Sequence, residues 1–339
     1  MTKHTMRDQV GCIMAAESGS VRAGSKRSGL LVGALTYFMW GLFPFYFVLV
    51  EPAGPFEVVA FRITFSMLFC VVLVTLTRGW RSLLNVARNP RTLGALGIAS
   101  VLITANWTIY ISAVFTNNTA EASLGYFINP LVSTLLGVLV LKEQLTPAQW
   151  VAAGLGLVAV IVISVGYGRL PLFGLGLAFS FGLYGLAKNR VGGKVKPIEG
   201  LALETAWMTP AAVVFLSVMA GMGLLTFPKL GWGFTGLLML SGVVTAIPLL
   251  TFAFAASRLR LVTLGMIQYI SPIMLFIVGV WVFGEPMSGT RWAGFALVWA
   301  AVVVLMVDAV WQARVTRHLP RAAAQGGSVT EGPGAQAQD

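Results

Sequence analysis

Apolar residues in this chain gather into long runs separated by short polar turns, without the strict alternation of a half-buried strand. Ten runs can be marked, at roughly 29–50, 57–77, 92–115, 120–141, 148–168, 171–190, 199–221, 233–256, 261–283 and 290–312. Each approaches the ~20 residues an α-helix needs to cross a hydrocarbon core ~30 Å thick. Positive charge precedes the first run as it does in a secretory leader, but the run exceeds the ~7–15 residues of a cleavable apolar region, so it reads as a retained anchor. The pattern predicts an all-α integral membrane fold.

The runs are not independent. The stretch EASLGYFINPLVSTLLGVLVLKEQLTPAQW, residues 121–150, has a later echo in LVTLGMIQYISPIMLFIVGVWVFGEPMSGTRW, residues 261–292. A shift of 142 places lays Pro130 on Pro272, Gly137 on Gly279, Glu143 on Glu285 and Trp150 on Trp292. The spacing P-x12-E-x6-W therefore occurs twice, which predicts two copies of one unit. The same shift lays Glu57 on Glu199 and Arg62 on Glu204, and Trp40-Gly41 resembles Tyr184-Gly185 with two residues of slippage. Five runs per copy is an odd number, so the second copy enters the bilayer upside down relative to the first. The predicted architecture is ten transmembrane helices in two inverted five-helix repeats, 29–168 and 171–312, with a tail over 1–28 and another over 313–339 that turns disordered from about Pro320.

Composition fits this class: 57% of the residues are hydrophobic and 10% charged, with mean hydropathy +0.83. The net charge of +11 would suit a nucleic-acid binder, but lysine and arginine cluster at the ends of apolar runs rather than along one face, so no nucleic-acid partner is expected. With both termini cytoplasmic, nineteen of the 23 fall on the inner side, Arg169, Lys229 and Arg291 on the outer side, and Arg62 within a run. Cys12 and Cys70 form no CxxC pair, and His4 and His318 lie in the tails, so neither a metal site nor a cofactor is expected.

Candidate chemistry sits on the repeated prolines. A mid-helix proline lacks an N–H and crowds the carbonyl four residues back, so Pro130 and Pro272 are expected to break their helices and leave the carbonyls of Tyr126 and Gln268 for other partners. Lipid offers none, so such breaks face other helices or a wet cavity. Tyr126, Asn129, Pro130 and Ser133 share one helical face, and Gln268, Ser271, Pro272 and Leu275 repeat that face. A single helix of this kind is common for packing reasons alone; two at matched depth favour a substrate cavity. Tyr126, Asn129, Gln268 and Ser271 are therefore cavity candidates, joined by Asn106, Trp107 and Tyr184, and Pro248 in the eighth run marks a further potential break. Arg62 and Glu204 are charge or coupling candidates. Each lies about five residues, or ~8 Å, into its helix, close enough to an end to snorkel, and separate duties are expected for them. Glu57, Glu121 and Glu199 open helices and read as structural.

The strings NWTIYISAVFTNNTAEASLGYFINPLV, GLAFSFGLYGLAKN, LETAWM and TAIPLLTFAFAASRLRLVTLGMIQYISP closely resemble the RarD proteins, a branch of the EamA family in the drug/metabolite transporter superfamily. The likeness runs from about Ser28 to Ala313, and the tail before it is longer than usual for that family, with Met14 an alternative start. The resemblance implies a bacterial inner-membrane carrier with a central substrate cavity. The expected function is secondary transport of a small metabolite or drug-like molecule by alternating access, outward. No GxxxxGK[ST] loop is present to bind nucleotide phosphates. A lipid-modifying membrane enzyme is the alternative from another class, and it would need a compact acid–base or nucleophile cluster that the sequence does not display. A channel is a third option, which would not call for inverted repeats.

Overall fold

A computed structural model describes residues 28–142, 145–191, 195–256, 258–259 and 261–325. Most of the expected tails, together with Glu143, lie outside the described residues. Among the described residues all regular structure is helical. The elements are α1 (28–41), α2 (Phe43–Leu49), α3 (Gly54–Leu76), α4 (Trp80–Ala87), α5 (Pro90–Phe115), α6 (Thr119–Leu141), α7 (Pro147–Tyr167), α8 (Leu172–Val191), α9 (Pro197–Gly221), α10 (Gly231–Ala256), α11 (Leu261–Ile267), α12 (Ile270–Ile277) and α13 (Gly289–Gln325).

Local chemistry places the ends. Asn89 caps α5, its side-chain oxygen accepting from the amides of Arg91 at 3.1 Å and Thr92 at 3.2 Å, with Pro90 at the first helical position. Thr146 and Gln149 form a reciprocal capping box ahead of α7. Gly168 closes α7 at φ +64°, a left-handed conformation that glycine adopts without strain.

Among the described residues eight helices are long and apolar enough to cross a membrane, and two further apolar stretches, Leu172–Lys188 and Ile270–Val282, are shorter. Large apolar side chains point outward along these helices, with Leu76 at 76% and Val165 at 71% exposed, a surface suited to acyl chains. The chain is a multi-pass membrane protein. α4 was not anticipated: it is a short amphipathic segment in the turn between α3 and α5, with Leu83 buried and Leu84 exposed. α13 continues to Gln325, past Ala313 and Pro320 where an unstructured tail was expected; alanine and arginine, strong helix formers, populate that extension.

Packing joins early helices to late ones. α3 lies against α9 and α10, α5 against α8 and α9, α6 against α8 and α12, and α7 against α13. Polar ties follow the same pairing. Thr36 bonds Thr251 at 2.9 Å, the Tyr46 hydroxyl donates to the Leu237 carbonyl at 2.9 Å, and the Glu57 carboxylate accepts from the amide and hydroxyl of Thr226. The α6–α8 crossing is close because glycines face each other: a Cβ on Gly125 would lie 2.5 Å from the Gly174 carbonyl oxygen and 2.8 Å from the Leu177 Cβ.

The prolines behave unequally. α6 passes unbroken through Pro130, and α10 through Pro248, so the breaks expected there are absent. Burial of most residues from Glu121 to Val132 holds α6 on a helical path despite the lost bond. The second copy does break, between α11 and α12, at Gln268 and Tyr269 just ahead of Pro272. The Gln268 carbonyl is not left open there, since the Ser271 amide donates to it at 3.3 Å. The Tyr269 ring stacks on Phe127 of α6 at 6.2 Å, so the two proline segments lie side by side.

Gly125→Ala is expected to lower the melting temperature in detergent, by a cost of about 1–3 kcal/mol for forcing two backbones apart. Gly154→Ala, where an added Cβ meets nothing within 4 Å, is the control and should be neutral or mildly stabilising. Equal behaviour of the two variants would contradict the close crossing.

Candidate functional site

Two clusters of polar groups lie inside the bundle. The first is built on Arg62, two turns into α3, which is only 5% exposed. Its guanidinium lies over the Trp107 ring at 4.2 Å and within 5.8 Å of the Phe43 and Phe47 rings, so it does not snorkel to an end as its position in sequence allowed. Nε and Nη1 are buried and have no hydrogen-bond partner among the described residues. The groups within electrostatic reach are the hydroxyls of Tyr126, Tyr46 and Tyr110 rather than a carboxylate. Tyr110 belongs to the same nest, its ring 5.6 Å from Phe47 and 5.9 Å from Tyr126, and its buried hydroxyl also finds no partner among the described residues. Ser66, one turn along α3 from Arg62, carries a second buried hydroxyl for which the described residues offer no partner.

Magnitudes show how unusual this is. A desolvated cation–π contact contributes about 2 kcal/mol. Burying an ion without a counter-charge costs several kcal/mol. The ring faces alone do not offset the burial of Arg62.

The second cluster is satisfied. Glu204 on α9 accepts from Lys188 Nζ at 2.5 Å and from the Tyr184 hydroxyl at 3.3 Å, both on α8. The Ser100 hydroxyl of α5 donates to the Glu204 backbone carbonyl at 2.8 Å. Arg62 and Glu204 thus have separate neighbours. A small cavity of ≈ 10 Å³, room for about one water molecule, lies between Trp107 of the first cluster and Glu204 of the second. Trp107 lines one side and Glu204 another, with Ile63, Ser100, Thr104 and Thr205 between them.

Among the residues anticipated from sequence, Arg62, Trp107 and Tyr126 come together, and Tyr184 joins Glu204. Asn106 does not line this cavity: its amide donates to the Leu177 carbonyl at 3.2 Å and to Ser180 at 2.9 Å, which commits it to the α5–α8 contact. Asn129 carries a buried Oδ1 without a hydrogen-bond partner among the described residues. Gln268 and Ser271 sit at the α11–α12 break, where flanking Leu264, Ile267 and Ile270 pack with Tyr37, Trp40 and Phe252. Lys188 and Tyr110 were missed, although spacing carried the signal. Lys188 follows Tyr184 by four residues, and Tyr110 follows Trp107 by three, so each shares a helical face with a residue already singled out.

The remaining carboxylates act as staples. Glu285 accepts from the Thr119 amide at 2.5 Å and the Ala120 amide at 3.0 Å, capping α6. Burial pushes its carboxyl above the ordinary value while those two amides pull it back down. Glu121 reaches the Phe173 amide at the start of α8 and the Arg169 guanidinium, each within 2.9 Å. Glu121 therefore holds a neighbouring helix rather than its own, Glu285 caps α6 from the non-helical segment before α13, and Glu199 alone of the three early-helix glutamates closes a local box, with Lys196.

The EamA-like transporter family model matches residues 27–165. The chain is 46% identical to Protein RarD of Streptomyces exfoliatus, over 88% of this chain and 94% of that one. It is 41% identical to the uncharacterized transporter YojE of Bacillus subtilis, covering 86% and 98%, and 37% identical to Protein RarD of Escherichia coli, covering 87% and 99%. A solved crystal structure shares the fold with TM-score 0.51 at 21% identity, over 84% of this chain and 99% of its own.

A double-mutant cycle on Lys188→Met and Glu204→Gln measures the second cluster. A coupling of about 1–3 kcal/mol in thermal or denaturant unfolding is expected, reduced from that of a fully buried pair because about a third of the Lys188 side chain remains exposed. Additive effects would show that the pair does not tie α8 to α9.

Proposed function

Because this chain belongs to the EamA-like transporter family, alongside the RarD proteins, we propose that it is a carrier of small metabolites or drug-like molecules that works by alternating access, without ATP. The observation that carries this reading is the pair of buried ionisable groups inside the bundle, Glu204 lining a small cavity between α3, α5 and α9 and Arg62 stacked on Trp107 at its other side, in a chain whose outer surface is apolar.

The proposed architecture is ten crossings in two inverted repeats, 29–168 and 171–312, with the two shorter apolar helices completing the count. In support, the principal contacts and polar ties join a helix before Gly168 to one after it, the arrangement in which one unit rocks against the other. Both termini are assigned to the cytoplasm of a bacterial inner membrane on the lysine and arginine distribution, and transport is assigned the outward direction. A cavity of ≈ 10 Å³ admits no metabolite, so cargo enters only when the helices part. A lipid-modifying enzyme is not favoured, since Glu57, Glu121, Glu204 and Glu285 are each engaged in separate bonds rather than paired with a nucleophile.

Cysteine labelling tests the mechanism. Asn118 and Arg169, hydrogen-bonded at 3.2 Å at the proposed outer end, are replaced by cysteine and joined by a short bifunctional maleimide, in a chain freed of Cys12 and Cys70. A third cysteine at Thr104 reports on the cavity. Closing the outer end is expected to raise labelling of Thr104→Cys from the cytoplasmic side several-fold and to abolish it from the outside. Labelling that ignores the clamp would refute alternating access.

A further inference from the structure

We infer that the Arg62 nest is the site that receives the charged end of the cargo, and that the cargo is a small monoanion, a carboxylate on an apolar body. The inference rests on the carrier reading above and specifies its substrate class. Its basis is an imbalance. Nε and Nη1 of Arg62 and the hydroxyls of Tyr110 and Ser66 are buried donors for which the described residues offer no acceptor. Lys188 shows the contrast, since this chain gives that cation a carboxylate of its own at 2.5 Å.

Donors gathered without acceptors fit a ligand that brings acceptor oxygens and negative charge. A guanidinium forks onto a carboxylate through two parallel bonds, and the Trp107 face at 4.2 Å fixes the plane of that fork. One charge in the nest neutralises one charge on the ligand. A dianion would carry a surplus into a low-dielectric interior where the groups in electrostatic reach are neutral hydroxyls. The rings of Phe43 and Phe47, within 5.8 Å of the guanidinium, supply the apolar wall for the body of the molecule. A monoanion also accounts for the outward direction, since an inside-negative membrane potential drives it from the cytoplasm.

The test uses the purified full chain in detergent at fixed ionic strength. Benzoate and acetate are the monoanion probes, benzamide is the neutral isostere of the first, and inorganic phosphate is the competing oxyanion. A saturable rise in melting temperature is expected with benzoate, a weaker one with acetate, and none with benzamide. Arg62→Gln should weaken benzoate binding on the order of tenfold or more, and Arg62→Lys, which keeps charge without the fork, should fall between. Arg62→Gln without ligand should melt above the wild-type protein, because it removes an uncompensated buried charge. A wild-type chain stabilised by neither monocarboxylate, or by phosphate alone, overturns the inference. So does an Arg62→Gln protein that folds, binds benzoate as well as the wild type and melts lower. Counterflow of labelled benzoate in proteoliposomes separates this from the carrier reading: binding through Arg62 without counterflow leaves the anion site and removes the carrier. Clamp-dependent labelling at Thr104 without anion binding does the reverse.

Discussion

Inside a bilayer a polar group has no water to fall back on, so each must find its partner within the protein, and this one demand shapes the bundle. The chain meets it mostly across the middle of its sequence. Glu121 holds the start of α8, Glu285 the start of α6, Glu57 the segment before α10, and the Asn106 amide a carbonyl of α8. Without an attraction between apolar helices stronger than that between helix and lipid, such bonds and close glycine crossings decide which helices meet. A loop far from α6 along the chain thereby becomes part of its N-terminus.

The same demand explains which parts of the structure could be read from sequence. Span positions were legible because hydropathy is a property of each segment alone: the expected 92–115 and 199–221 appear as Pro90–Phe115 and Pro197–Gly221. What was not legible is how a polar side chain resolves its need when several partners are within reach. Asn106 was expected at a cavity and is consumed by Leu177 and Ser180, which only the α5–α8 packing brings close. Pro130 and Pro272 occupy matching places in the sequence, yet α6 runs through and the later helix parts at Gln268 and Tyr269. A proline removes one bond and leaves the surroundings to determine whether the helix continues.

Arg62 and Glu204 show how far register carries and where it stops. They are equivalent under the 142-residue shift and of opposite sign, and both were singled out for their charge. Their environments then diverge. Glu204 is drawn into a bond with Lys188, whose place on α8 follows from Tyr184 by one helical turn. Arg62 receives aromatic faces and, among the described residues, no counter-charge. Sequence can count charges within apolar runs, but pairing depends on rotamers and crossing geometry that no spacing encodes.

The contrast between the two charges bears on energetics as well. Losing one partner of a satisfied pair such as Lys188 and Glu204 is costly, because Glu204 would remain buried without its counter-charge. The pair therefore favours whichever arrangement keeps α8 and α9 together. An unsatisfied cation has the opposite effect, raising the free energy of the arrangement in which it is held. A bundle that contains both is stabilised at one point and strained at another, with Trp107 and a cavity of one water's volume between them. In the proposed anion site, binding energy released at the strained point is available only to a ligand that meets Arg62, so relief of that strain and recognition of the ligand would be one event.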